Sequence, residues 1–584
     1  MAAGKTTAMD APEVVERALV EGTFSVQKFV ESFGVLVEAA GGVKLLRELI
    51  LTLAVRGQLT ERQSADDDVK NLVADIQRKR GRLGVGRSAH GADKGDGPVV
   101  DDPPFAIPTS WRWTRLEDLG VFMGGGTPSK SNLGFWKGPI PWVSPKDMKR
   151  PYIGDAEDHI SQAAIEGSST KLIPAKSILF VVRGMILAHS FPVAITTCEV
   201  TVNQDMKALV LACPAVADFM LRVCQDAKRR VLERIERSSH GTCRLDSEVV
   251  ESLLVPLPPV AEQKRIVARV DQLMALIDQL EAKQNRKREV GARFTKASLE
   301  ALTAAESPQD FTAAWTRIQS TWPTLLDSAD KVAELKKAAL DLAIRGRLTR
   351  QDPEDEPAAR LLSRMGVERP VPKTPGPQGG KSPEVPFDLP ESWAWAELAE
   401  TWLVVTDGDH QPPPKTESGV AFLTIGNVSG GKIDFTDTRF VSRSYFDSLD
   451  RNRVPARGDL LYTVVGSFGI PVLVDTKVEF CIQRHIAILK PLKETNVAFM
   501  YYMMKSGFVY RQAAAAVTGI AQPTLGLGVL RRLLIPIPPL AEQERIVAKV
   551  EHLMKLCDAL EAALRRSEDR AAKLACAVVQ EMVV

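Results

Sequence analysis

The stretch PLPPVAEQKRIVARVDQLMALIDQLEA, Pro256–Ala282, returns as PIPPLAEQERIVAKVEHLMKLCDALEA, Pro536–Ala562, displaced by 280 residues with no gap. A match of that length within one chain means duplication, so the fold must be built from two similar halves. The stretch is itself informative. Its paired prolines, Pro258-Pro259 and Pro538-Pro539, end whatever strand precedes them, because proline cannot donate to a ladder. Glu262 and Glu542 follow at the start of a helix, where a carboxylate suits the positive end of the dipole. Apolar residues then recur at Ile266, Val270, Leu273, Ile277 and Leu280, and at Ile546, Val550, Leu553, Cys557 and Leu560. This 4-3-4-3 spacing is a heptad seam and predicts two long helices, ending near Ala301 and Met582, that pack on each other or on a partner. About 40 residues of helix would reach roughly 60 Å.

Two further repeats fill out the halves. LRELILTLAVRGQLT, Leu46–Thr60, returns as LKKAALDLAIRGRLT, Leu335–Thr349. Gly57 and Gly346 stand where a helix C-cap glycine belongs, and Arg56 and Arg345 where a cation meets the negative helix end. PFAIPTSWRW, Pro104–Trp113, returns as PFDLPESWAW, Pro386–Trp395, and opens a globular unit each time. Between these openings and the paired prolines lie short apolar runs bounded by turn residues: 178–184, 193–202, 421–428, 459–474 and 485–491. These read as strands. Helical patterns at 215–236 and 497–516 accompany them. Each unit is therefore a mixed α/β domain.

At 584 residues the chain is too long for a single core. Seven cysteines without a CxxC pair argue against a zinc cluster or a disulfide framework and suit a reducing, cytoplasmic setting. The N-terminus lacks the apolar core of a signal peptide, and the most apolar stretch, 177–197, is interrupted by Arg183, His189 and Pro192, so no membrane span is expected. With a net charge of only +2, any contact with nucleic acid must come from local patches.

This layout resembles the specificity subunits of type I restriction-modification systems. The resemblance is carried by the two PPxAEQxRIVAxV elements, by GGGTPSKSNLGFWKGPIPWVSPKDM (Gly124–Met148) and NQDMKAL (Asn203–Leu209), and by DGDHQPPPKTESGVAFLTIGNV (Asp407–Val428) and CIQRHIAIL (Cys481–Leu489). It spans nearly the whole chain beyond the first 25 residues. It implies an α+β fold: two mixed α/β target recognition domains separated by long antiparallel helices, with a pseudo-two-fold internal repeat. The expected parts are an N-terminal extension (1–25), a helical segment (26–80), a linker (81–103), the first recognition domain (104–255), a central helical region (256–368), a second linker (369–385), the second recognition domain (386–535) and a C-terminal long helix (536–584). The resemblance also implies double-stranded DNA as ligand, and two modification subunits and two restriction subunits as partners. No cofactor is expected on this chain itself; S-adenosylmethionine, ATP and Mg2+ belong to those partners.

Base readout calls for Arg or Lys against guanine and Asn or Gln against adenine, while Ser, Thr and glycine amides hold the backbone. Candidates in the first domain are Gly125, Thr127, Ser129, Lys130, Lys146, Lys149, Arg150, Arg183, Ser239, His240 and Arg244. In the second they are Asp409, His410, Gln411, Lys415, Asn427, Ser467, Arg484, His485, Thr518, Gln522 and Thr524. The reading segments differ between the domains, which predicts an asymmetric bipartite target. On the long helices, Lys264, Arg265, Arg269, Glu544, Arg545 and Lys549 are candidates for docking the modification subunits; a solvated helix face accounts for them equally well. One alternative makes the chain an enzyme: Asp102-Pro103-Pro104-Phe105 matches the catalytic tetrapeptide of DNA amino-methyltransferases. Against it, the second half carries Glu384-Val385 at the matching positions, a linker rather than a strand precedes the tetrapeptide, and no glycine loop for S-adenosylmethionine lies upstream. Another alternative is a purely structural coiled-coil scaffold.

Overall fold

The closing strands of the two domains pair in one register. Arg112–Arg115 runs antiparallel to Leu254–Leu257, with Arg112 opposite Leu257; Ala394–Glu397 runs antiparallel to Leu534–Ile537, with Ala394 opposite Ile537. Duplication is thus visible down to Cα partners. The computed structural model describes residues 39, 41–61, 63, 66–83, 103–237, 243–367, 386–409, 414–519 and 522–583, with side chains to 577. The chain divides into two compact units, one reaching Arg286 and taking in the segment from Glu568, the other covering Lys287–Ser567.

In the first unit a five-stranded sheet runs in the order Gly120–Gly124, Met206–Leu211, Ile178–Val181, Val193–Thr196, Tyr152–Ile153, and a three-stranded sheet in the order Asp158–Ile160, Ile140–Val143, Thr201–Val202. In the second, a four-stranded sheet runs Trp402–Asp407, Ile486–Pro491, Leu460–Thr463, Pro471–Leu473, beside a three-stranded sheet, Arg439–Val441, Val420–Leu423, Phe480–Ile482. The central strands Ile178–Val181 and Leu460–Thr463 are buried at every position, as their unbroken apolar runs require. The expected helix at 497–516 is broken in two, because Ser506 caps a new start by accepting the Val509 amide.

The long helices span Val260–Ala304 and Leu540–Val583, slightly longer than their periodicity predicts. The early part of each seam enters the core of its own unit: Ile266, Val270, Leu273 and Ile277 are at most 3% exposed, and Ile546 and Val550 at most 1%. Farther along, each helix contributes to a core that also holds part of the other. Leu299 and Leu302 share a core with Cys557 and Leu560 in the second unit, and Ala575 of the second helix joins the core around Ile277 in the first. Residues late in each helix thus share a core with residues nearer the middle of the other, the order expected of antiparallel helices.

The repeated motifs fasten each domain to its helices. Gly57 and Gly346 have φ of +73° and +67°, and an added Cβ would sit 2.6 Å from Pro108 Cγ and 2.5 Å from Pro390 Cγ. Arg56 lies over the Phe105 ring at 5.3 Å and Arg345 over Phe387 at 4.4 Å. Phe105 meets Trp113 edge-on at 4.9 Å, and Phe387 meets Trp395 likewise at 4.9 Å. The two arginines therefore serve a cation–π contact with the opening segment of each domain. Glu542 is fully buried and accepts from Trp393 Nε1 (2.8 Å), Gln351 Nε2 (2.7 Å) and Thr349 Oγ1 (3.0 Å). Gln263 and Gln543 reach back to the carbonyls of Pro258 and Pro538 at 2.7 and 2.9 Å. The repeated Glu-Gln pair is thus a joint between strand, helix and domain.

Candidate nucleic-acid interface

In each domain the ends of several strands converge on one edge, held by matching backbone hydrogen bonds. Asn203 N donates to Val143 O (3.0 Å), and Gln483 N to Leu423 O (3.0 Å). Leu245 N donates to Val182 O (2.9 Å), and Leu525 N to Val464 O (2.8 Å). Gly184 N donates to Cys243 O (3.0 Å), and Gly466 N to Pro523 O (2.8 Å). The turns Ser144–Asp147 and Thr424–Asn427 are closed by the same capping box. These bonds align the edges residue by residue, so Lys146 matches Gly426, Arg183 matches Val465, Met185 matches Ser467, Gln204 matches Arg484, Asp205 matches His485 and Arg244 matches Thr524.

The first edge brings Arg183 and Arg244 together as an isolated antiparallel bridge. Both side chains are exposed, and among the described residues neither forms an ion pair; the same is true of Lys130, Lys149 and Arg150. Lys146 is exposed but held, its Nζ 2.9 Å from Asp158 and 3.2 Å from Glu157, which keeps its pKa above the ordinary lysine value. Thr127 donates to Gln204 Oε1, and Ser129 Oγ lies 2.8 Å from Ser131 Oγ. Gly125 is half-buried; a side chain there would strike the backbone of Val202 and Asn203, as one at Gly408 would strike Ile482 and Gln483. Its glycine serves the packing of its own chain rather than the approach of a ligand. Ser239 and His240 lie outside the described residues, as does Asp102.

On the second edge Arg484 is exposed beside a half-buried His485, whose pKa is held down by burial and by the Arg484 charge. Asp409 accepts from Tyr445 Oη at 2.8 Å, which fixes its carboxylate. Thr518 and Thr524 exchange backbone bonds of 3.1 and 2.8 Å, closing the loop that carries the exposed Gln522. Ser467 and Lys415 are exposed. Asn427 is spent within its turn: Oδ1 accepts from Thr424 N (2.9 Å), and Nδ2 donates to the carbonyls of Asp434 (3.0 Å) and Thr436 (3.2 Å). His410 and Gln411 lie outside the described residues.

Sequence reading passed over Gln204 and Met185, the latter 64% exposed next to Arg183. Gln204 could have been found by aligning NQDM with QRHI, since it occupies the place of Arg484. On the helices, Arg265 forms a double contact with Asp66 (2.8 and 2.6 Å) and Arg545 with Asp355 (3.1 and 2.5 Å). The side chains of those aspartates are 2% and 7% exposed, so both arginines are engaged within the chain. Arg269 reaches Gln272 at 3.4 Å, while Lys264, Glu544 and Lys549 stay exposed. Among the described residues no cluster of His, Cys, Asp and Glu is placed to hold a metal, and no helix is long and apolar enough to cross a membrane.

The family described as type I restriction modification DNA specificity domain matches residues 108–289 and 414–567. The specificity subunit of the type I restriction enzyme EcoAI from Escherichia coli is 24% identical over 579 residues, 93% of this chain and 94% of that one. The EcoEI specificity subunit, also from Escherichia coli, is 24% identical over 92% of this chain and 93% of its own. Among solved structures, the HsdS subunit from Thermoanaerobacter tengcongensis aligns with a TM-score of 0.38 at 18% identity, covering 83% of this chain and 99% of that one. With two matched domains spanning more than half its length, the chain belongs to the type I restriction modification DNA specificity family and is a two-domain DNA target-recognition subunit.

Proposed function

We propose that each domain reads one half of a bipartite, asymmetric DNA sequence with the edge described above, and that the long helices set the distance between the half-sites and dock two modification subunits. One observation carries this reading: the two edges share a backbone but not the side chains set along it. A common scaffold bearing Arg183, Gln204 and Arg244 on one side, and Val465, Arg484 and Thr524 on the other, suits two different sequences read in one manner. An arginine aimed at guanine O6 and N7 supplies about 1–3 kcal/mol of discrimination per base, and an exposed apolar group such as Met185 suits a thymine methyl. Two modules held apart by stiff helices match half-sites a fixed distance apart. The chemistry then resides in the partners, where S-adenosylmethionine, ATP and Mg2+ are bound, and two restriction subunits complete the complex.

The test is co-expression with the modification subunit, followed by mapping of modified bases in the host genome. Methylated adenine confined to one bipartite, asymmetric motif, and lost when this chain is deleted, is the expected result. A stable complex that methylates no defined motif, or one that methylates a palindrome, would sink the reading.

A further inference from the structure

Where each domain packs on its helix, an acid accepts a hydrogen bond across the seam, and the two units carry that acid on opposite sides. In the first unit the hydroxyl is on the helix and the acid on the domain: Thr52 Oγ1 donates to Asp226 Oδ1 at 2.7 Å. The helical repeat takes Thr52 to Asp341, and the domain repeat takes Asp226 to Ser506. In the second unit the acid is therefore on the helix and the hydroxyl on the domain. Asp341 accepts from Phe508 N at 3.2 Å and from Arg511 Nη2 at 3.2 Å, at the helix start that Ser506 caps. Ser506 is fully buried and Asp341 is 9% exposed. The surrounding contacts, Arg56 with Phe105 and Arg345 with Phe387, are common to both units, so this pair is a difference set within a shared seat.

We propose that the reciprocal pairs match each recognition domain to its own helix, so that the two domains cannot exchange places in the chain without loss. In the exchanged arrangement Asp226 would face Asp341, two carboxylates in one poorly solvated seam, of which one must take up a proton or move apart. At the other seat Thr52 would face Ser506, leaving Phe508 N and Arg511 without their acceptor. The device concerns assembly of the chain and stands independently of which bases the domains read.

A double-mutant cycle in the intact protein tests it. Thr52→Asp sets two acids against each other and is expected to lower the unfolding midpoint by on the order of 5 °C. Asp226→Ser removes one acid, and Thr52→Asp with Asp226→Ser rebuilds the arrangement of the second seat, so the loss from Thr52→Asp should disappear in that background. Equal loss in both backgrounds overturns the proposal, as does failure of the double variant to fold. The exchange itself is the second arm: full chains with residues 104–255 and 386–535 interchanged, with and without Thr52→Asp and Asp341→Thr. Recovery of folded protein or of the midpoint only in the compensated chain supports the matching. An uncompensated exchange as stable as the natural order overturns it, and where neither exchanged chain folds, the cycle decides.

Discussion

Arg183 and Arg244 combine exposure, adjacent backbones and, among the described residues, freedom from ion pairs, which distinguishes them from Lys146, already held by Asp158 and Glu157. If they contact phosphate, each Arg→Ala change should weaken binding across sequences and flatten the plot of log affinity against log salt by about one charge. If Arg183 contacts a base, Arg183→Ala should instead relax one position of the first half-site. Binding measured over a salt series on matched and mismatched duplexes separates the two. Asp226 offers a prediction in pH. Burial raises its pKa above the ordinary 3.8, opposed by the hydrogen bond from Thr52 and the charges of Arg230 and Arg56. An acid whose folded pKa is raised binds its proton more tightly in the folded state. Its contribution is complete below pH 3.8 and is lost as pH rises through the folded value, above which the desolvated carboxylate is a cost. Asp226→Asn keeps an acceptor for Thr52 and has nothing to ionise. The midpoint of the variant relative to the natural chain should therefore rise between acid and neutral pH; a difference constant with pH would refute this.

At the scale of elements, the repeated motifs act as fasteners, and one pair differs in a way that isolates a single bond. Trp111 and Trp393 pack alike against Gly57 and Gly346. Trp393 Nε1 donates to the buried Glu542, whereas Trp111 Nε1 has no hydrogen-bond partner among the described residues. Trp→Phe leaves a similar void at both positions, so the difference between the variants reports the bond. Trp393→Phe should cost about 1.5–3 kcal/mol more than Trp111→Phe, the scale of a hydrogen bond to a charged group, measured by denaturant unfolding. Gly346→Ala should be destabilising by more than 1 kcal/mol, because a φ of +67° and the nearby Pro390 ring both reject a Cβ. The fasteners also explain why Arg265 and Arg545 read in sequence as exposed docking groups. Their helical positions face outward, but Asp66 and Asp355 arrive from segments 199 and 190 residues away, a pairing that helical spacing alone does not disclose.

For the molecule as a whole, the matched edges predict separable half-sites. Replacing Arg183 and Arg244 together should degrade only one half of the methylated motif, and replacing Arg484 only the other, with the distance between halves unchanged. Genome-wide mapping of modified bases in cells carrying each variant checks this. Loss of both halves from either change would mean that the domains do not read independently.

The sequence by itself determined the duplication, the two mixed domains, the long helices and their buried seams, because these rest on local periodicity and on proline and glycine chemistry. It also marked the segments that form the edge. Tertiary structure decided which residues on those segments face outward. Asn427 and Gly125 have the right composition for contact with DNA, yet the first is consumed by its own turn and the second by the backbone of Val202 and Asn203. Gln204 and Met185 drew no notice in sequence and stand exposed. The physical reason is that a side chain's direction at a strand end is set by hydrogen bonds to strands far along the chain. Those bonds, such as Gly184 to Cys243 and Leu245 to Val182, leave no periodic trace in the sequence.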